Sequence, residues 1–320
     1  MIKKTLASVA AVGLVLAAGA TSAQAAGFPE KDITFVIPFK PGGGMDSTSR
    51  AVARVLGDHL PNKVNVVPKN VPGAGGKKGY GVLQRAQADG YTISVVNYPG
   101  AAMPSLTGEN VTYDIGSFTW LARMSQSEYL LATNKKSGFK TLDDIKKSAK
   151  PAKITQTGFG STAYAAAGVL KMVVGFKASH LTGYEGSKQY ILGLIRGDGD
   201  LAVAPVQTFR KFIQSGDVVP IITFEAKPSI PGIMTAAQAG YPELTGLGVH
   251  RFIAGPPGMP ENIRKILSDA IQKALADPIT TAWAKKSKRP LHPMDADEAD
   301  KEIKKSLAFY SKYKAALGKQ

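Results

Sequence analysis

The stretch Ile33–Asp46, ITFVIPFKPGGGMD, decides how this chain folds. Ile33 to Pro38 is an unbroken apolar run with no polar alternation, as in a strand buried on both faces of a parallel sheet. Gly42, Gly43 and Gly44 then permit a tight turn, and Asp46-Ser47-Thr48 opens a helical pattern that runs through Leu60. Asp46 stands where a helix N-cap belongs and is expected to accept a hydrogen bond from the N–H of Thr48 or Ser49. Outward from this unit the order repeats. Val64–Val67 reads as a second strand. The loop Val71–Gly76 leads into a helix ending near Ala88, and the turn Asp89-Gly90 precedes a third strand, Tyr91–Val96. Strand, helix, strand, helix, strand is the order of a doubly wound parallel sheet.

The middle of the chain holds a second unit of the same kind. Ile154–Thr157 is a strand, and Gly158–Thr162 turns into an alanine-rich helix reaching about Val174. A short strand ends at Leu181, a helix covers Gly186–Arg196, and Asp200–Ala204, Val206–Gln214 and Val218–Thr223 continue as strand, helix, strand. The last part is helical. Ile263, Ile266, Leu267, Ala270, Ile271 and Ala274 share one face of a helix begun by Pro260. Asp295 and Glu298 have the spacing of a capping box ahead of another helix. These helices have no strands of their own and must pack on the earlier sheets. The expected fold class is therefore α/β and two-lobed, each lobe a central sheet flanked by helices. Loops at the carboxyl ends of the strands would face one another across a ligand cleft.

The composition suits that architecture: 320 residues, 44% hydrophobic and 20% charged, are enough for two cores. The absence of cysteine excludes thiol catalysis, disulfides, cysteine-ligated metal and a lipidated cysteine anchor. A net charge of +16 points to nucleic acid, an anionic membrane surface or a small anionic ligand. The N-terminus narrows the choice. Lys3 and Lys4 precede the uncharged run Leu6–Ala20 and the small-x-small tripeptide Ala23-Gln24-Ala25, the pattern of a signal peptide over residues 1–25. The run falls short of the roughly 20 residues that span a bilayer. The chain is thus expected to be exported, cleaved and soluble in the periplasm. Nucleic acid is a poor partner there, and basic pairs such as Lys135-Lys136 and Lys285-Lys286 are not interleaved with aromatics.

The glycine loops are not nucleotide motifs. Gly42-x-Gly44 meets Ser47 where a dinucleotide fingerprint needs its third glycine, and Gly73-x-Gly75 meets Lys78. A glycine turn ahead of a helix still aims N–H groups outward at the positive helix end, which suits a carboxylate as well as a phosphate. It can equally be a strand-to-helix turn without a ligand. The four histidines, His59, His180, His250 and His292, show no metal-ligand spacing, and no G-x-S-x-G elbow occurs. These features favour a binding protein without cofactor or metal over an exported α/β enzyme acting on a small anionic substrate, or over a structural or adhesive protein.

Ile33–Asp46, Asn70–Gly76 (NVPGAGG), Asp89–Thr92 (DGYT), Gly158–Ser161 (GFGS), Tyr184–Gly186 (YEG) and Gly255–Pro260 (GPPGMP) form an ordered set over nearly the whole chain. In order and separation this set resembles the solute-binding receptors of tripartite tricarboxylate transporters, the Bug-type receptors. The resemblance implies a periplasmic binding fold of type II character that closes on a small carboxylate and delivers it to membrane permease subunits. It also implies lobes of 26–123 plus 254–320 and of 124–253, with the protein acting as a monomer. Carried over residue by residue, the ligand contacts are Phe39, Gly43, Gly44, Asp46 and Thr48 on one side and Gly160, Ser161, Thr162 and Ala163 on the other.

Three departures from the family pattern matter. The second loop has fewer glycines and lacks a following histidine, and Tyr164 there either occupies space a larger ligand would use or packs within its lobe. Tyr184 is followed by Glu185 where the family has a basic residue. Arg251 stands near a position where the family has tryptophan, either pairing with a second ligand carboxylate or lying solvated at the rim. Tyr98 and Pro205, at the ends of their strands, line the pocket or fill the core.

Overall fold

The structure, a computed structural model, describes residues 27–318; the expected signal peptide lies outside the described residues. β1 (Ile33–Ile37) is buried almost throughout and sits between two parallel partners, β2 (Val66–Asn70) and β3 (Thr92–Tyr98). That placement is why its sequence is uniformly apolar. The first helix, α1 (Gly44–Leu56), begins two residues before Asp46, with Gly43 at its N-cap. α2 (Lys77–Gln84) and the single turn α3 (Met103–Leu106) complete the first unit.

The chain then enters β4 (Thr119–Asn134), a strand of 16 residues that the sequence pattern did not reveal. It reads TWLARMSQSEYLLATN, with Arg123, Ser125 and Ser127 buried among apolar neighbours, so neither alternation nor an unbroken apolar run marks it. The second unit follows: α4 (Leu142–Lys147), β5 (Ala152–Thr155), α5 (Thr162–Val174), β6 (Ala178–Leu181), α6 (Ser187–Arg196), β7 (Leu201–Pro205), α7 (Val206–Gln214) and β8 (Val218–Thr223). β9 (Gly248–Gly255), also unmarked in the sequence, returns the chain to the first unit. The C-terminal helices are α8 (Glu261–Ala276), α9 (Pro278–Ser287), α10 (Ala296–Lys312) and α11 (Lys314–Leu317).

Among the described residues the strands form one path, β2-β1-β3-β9-β4-β7-β5-β6, with β8 on the other side of β4. β4 belongs to two sheets. Its first part pairs antiparallel with β9 from Thr119 to Glu128, and its last residues pair with β7 and β8. Register shifts at Trp120/Ala122, Arg123/Ser125 and Leu131/Ala132 mark irregularities of the kind that bend and twist a strand. Parallel β1, β2 and β3 thus lie to one side of the seam, parallel β5, β6 and β7 to the other, and the cleft lies between them.

The C-terminal helices close the architecture. α8 packs on α1 and β4, and α10 lies along β4. α11 reaches across to α5 of the second unit, where a Cβ on Gly168 would collide with the Ala316 carbonyl. Gly168→Val should destabilise the protein by about 1–3 kcal/mol through overpacking. It should also raise amide exchange over residues 314–318. Unchanged exchange there would show that this contact does not hold the tail.

Candidate functional site

A cleft of about 1240 Å³ opens between the two units. Phe39, Gly43, Gly44 and Arg251 line it from one side, and Gly160, Ser161, Thr162, Ala163, Tyr184 and Pro205 from the other. The expected residues Asp46, Thr48, Tyr98 and Tyr164 lie behind this surface.

The β1–α1 loop is shaped from beneath. Gly42 adopts a left-handed φ of 84°, which glycine takes without strain. The buried Asp46 carboxylate accepts hydrogen bonds from Gly42 N–H (2.9 Å), Arg50 Nε (2.8 Å) and Asn70 Nδ2 (2.9 Å). Asn70 also donates to the Phe39 carbonyl at 2.9 Å, tying β2 to the loop. Asp46 is therefore not the N-cap expected from its position. It sits inside the first turn as a staple, because the helix starts at the glycines. Burial resists its ionisation, but the bonds from Gly42, Asn70 and Arg50 outweigh that and hold its carboxyl below the ordinary carboxylate range. Thr48 is also inside the helix, its hydroxyl donating to the Gly44 carbonyl at 2.8 Å. Since Gly43 has no side chain to cap α1, the first N–H groups of the helix remain uncapped at the cleft wall.

The facing loop is built differently. Gly160 has φ 79°, and Ser161 is the N-cap of α5, accepting from Tyr164 N–H at 3.2 Å. Thr157, unmarked in the sequence, donates to Ser161 Oγ at 2.6 Å and also lines the cleft. Thr162 bridges the two sides: its hydroxyl donates to Asn97 Oδ1 (3.3 Å) and accepts from Gly100 N–H (3.2 Å). Tyr164 turns inward, stacked on His180 with ring centroids 4.3 Å apart, its hydroxyl donating to the Gly318 carbonyl. Of its two readings, packing within the lobe is the one observed. Tyr98 is 1% exposed and meets Phe252 and Tyr310 edge-on, so it belongs to the core. Tyr184 lines the cleft while its hydroxyl donates to Asp198.

Arg251 is not a rim residue. It projects from β9, its Nη1 donating to Ser125 Oγ at 3.3 Å and Ser127 Oγ at 3.2 Å. Burial and the nearby Arg289 charge push its guanidinium down to about 10. Arg289, just beyond α9, is a cleft residue that sequence reasoning missed. In sequence, Lys288-Arg289 looks like one more basic pair on a solvated face; only the fold carries it to the glycine loop. Lys188, Arg210, Lys211 and Lys288 also line the cleft, and Glu185 is the one acid on its walls among the described residues. No group of three or more His, Asp or Glu among those residues could hold a metal ion. No helix among them is long and apolar enough to cross a membrane.

Comparison with known proteins gives the family and the fold. The model of the tripartite tricarboxylate transporter family receptor matches residues 49–312. The chain belongs to that family. Protein BugT of Bordetella pertussis is 26% identical over 293 residues, covering 88% of this chain and 89% of BugT. The crystal structure of a TctC solute-binding protein from Polaromonas superposes with a TM-score of 0.74 at 20% identity, covering 90% of this chain and 99% of that one. MatC from Rhodopseudomonas palustris, solved with bound malate, gives a TM-score of 0.71 at 20% identity, covering 91% and 100%. The expected two-lobed binding-protein fold is thus the fold of this receptor.

In this receptor the cleft wall depends on the Asp46 staple. Asp46→Asn should cost on the order of 1.5–3 kcal/mol, the worth of hydrogen bonds to a charged group. The native carboxyl titrates lower than the unfolded one, so its contribution is present above the unfolded value and lost as pH falls through the folded value. Wild type should therefore lose stability below about pH 4 more steeply than the variant. Thermal unfolding of both proteins across pH checks this, and parallel acid profiles would deny Asp46 the role.

Proposed function

We propose that this receptor captures a small carboxylate-bearing organic molecule between its lobes and, once closed, presents it to the permease subunits of a tripartite transporter. The observation that carries the reading is the pair of opposed loops. Uncapped N–H groups of α1 lie on one wall and the Ser161 cap of α5 on the other, in a cleft whose walls bear many cations and one acid. Helix N-termini favour negative charge, and serine and threonine hydroxyls orient a carboxylate directly or through water. Malate bound by a protein of the same fold supports the chemical class.

We place direct contact at Phe39, Gly43, Gly44, Gly160, Ser161, Thr162 and Ala163, with Tyr184, Pro205 and Arg251 around them. Asp46, Thr48, Tyr98 and Tyr164 support these positions from behind. The lobes are 26–123 with 254–320 and 124–253, joined through β4 and β9. A ligand touching both lobes favours the closed form by the difference in its affinity for the two states. The protein acts in the periplasm as an exported, cleaved monomer and performs no chemistry on its cargo, in keeping with a family and fold of receptors.

A panel of mono-, di- and tricarboxylates should raise the melting temperature with at least one member, because binding to the native state alone stabilises it. Ser161→Ala should then weaken that ligand about tenfold, with the far-UV spectrum unchanged. No shift with any carboxylate, alongside turnover of an ester or nucleotide, would reverse the assignment.

A further inference from the structure

We propose that Arg251 and Arg289 form a second anion subsite in the cleft, so that the receptor selects a ligand carrying two anionic groups. The inference rests on the carboxylate reading above and extends it to a substrate class.

The two side chains come from distant parts of the chain, β9 and the segment after α9, and converge on Gly44. A Cβ placed there would lie 2.5 Å from Arg289 Nη1 and 3.4 Å from Arg251 Nη2. Two cations therefore meet at the N-terminus of α1, where the helix dipole is also positive. No acid balances them among the described residues. The charged neighbour of Arg251 is Arg289 itself. Asp46, the acid of the first α1 turn, is occupied by Gly42, Asn70 and Arg50. Arg251 Nε is buried without a hydrogen-bond partner, and the Arg289 side chain, whose backbone N–H donates to the Ala284 carbonyl, has no hydrogen bond or ion pair of its own among the described residues. Both side chains are partly buried, and a partly desolvated cation without a counter-charge is disfavoured, the more so with a second cation beside it. Such a pair is complete only when an anion enters. Guanidinium forks match the planar geometry of a carboxylate, one oxygen to each.

Gly44 is part of this arrangement, since any side chain there would displace Arg289. Ser125 and Ser127 aim Arg251 by accepting from its Nη1, leaving Nη2 toward Gly44. In this proposal the first carboxylate lies toward the Ser161 loop, and the guanidiniums beside Gly44 receive the far end of the same molecule. Specificity then lies in the span between the two anionic groups.

Isothermal titration calorimetry on the receptor with matched acids tests the subsite: succinate against butyrate, glutarate against valerate, adipate against hexanoate, and terephthalate against benzoate. In at least one pair the diacid should bind about thirtyfold tighter or better. Arg289→Gln removes no hydrogen bond from the fold and should lower that ratio about tenfold, while Arg289→Lys should restore part of it. Melting temperatures of the free variants confirm that they are folded. If monoacids bind as tightly as their diacids, the second subsite is wrong and the carboxylate reading stands. If the ratio survives Arg289→Gln, the assignment to this pair is wrong. If none of these acids binds, the carboxylate reading fails and takes the subsite with it.

Discussion

Everything in this receptor hangs on one strand belonging to two sheets. β4 gives its first ten residues to β9 and the remainder to β7 and β8, so the seam between the units is itself hydrogen-bonded sheet. A flexible linker would leave the facing loops at undefined separation. A continuous strand fixes them to a narrow range, and its register shifts are irregularities of the kind that bend a strand. The cleft walls then follow from topology, because the loops that line it stand at the carboxyl ends of parallel strands on either side of that seam.

Two strategies shape the walls. On the first lobe the glycine loop presents backbone to the cleft, held from underneath by Asp46 and Asn70, while glycine at the N-cap leaves helix N–H groups available. On the second lobe a serine caps α5 while a neighbouring threonine donates to the same hydroxyl. Backbone recognition of a carboxylate carries little information about what the carboxylate is attached to. Side chains farther out must supply the discrimination, and there this chain places Arg251 and Arg289.

The parts of this design that are local in sequence were legible in it. β1 and its glycine turn announce themselves within fourteen residues, and the capping box at Asp295 and Glu298 forms as its spacing implied. The N-cap, expected at Asp46 and observed at Gly43, was misplaced by three residues because glycine at an N-cap leaves no polar side chain to mark the helix start. β4 and β9 escaped because they are covered on both faces while carrying polar residues that serve the cleft and the seam, which erases any period. Tyr98 and Tyr164 stand beside cleft residues in sequence but turn into their cores, a choice made by Phe252, Tyr310 and His180 from remote segments. Arg289 was invisible for the same reason: its neighbour at the site, Gly44, is more than two hundred residues away along the chain.

The surplus of cations on the cleft walls also has a kinetic side. Charges lining a concave surface project their field outward, and at physiological ionic strength that field persists over about 8 Å. An anion diffusing past the mouth is drawn in before it touches either loop, so encounter is faster than for an uncharged solute of equal size, and added salt slows it. The opening is thus an electrostatic funnel: lysines such as Lys188 and Lys211 can serve the rate of capture without touching the bound molecule, while the loops govern how long it stays.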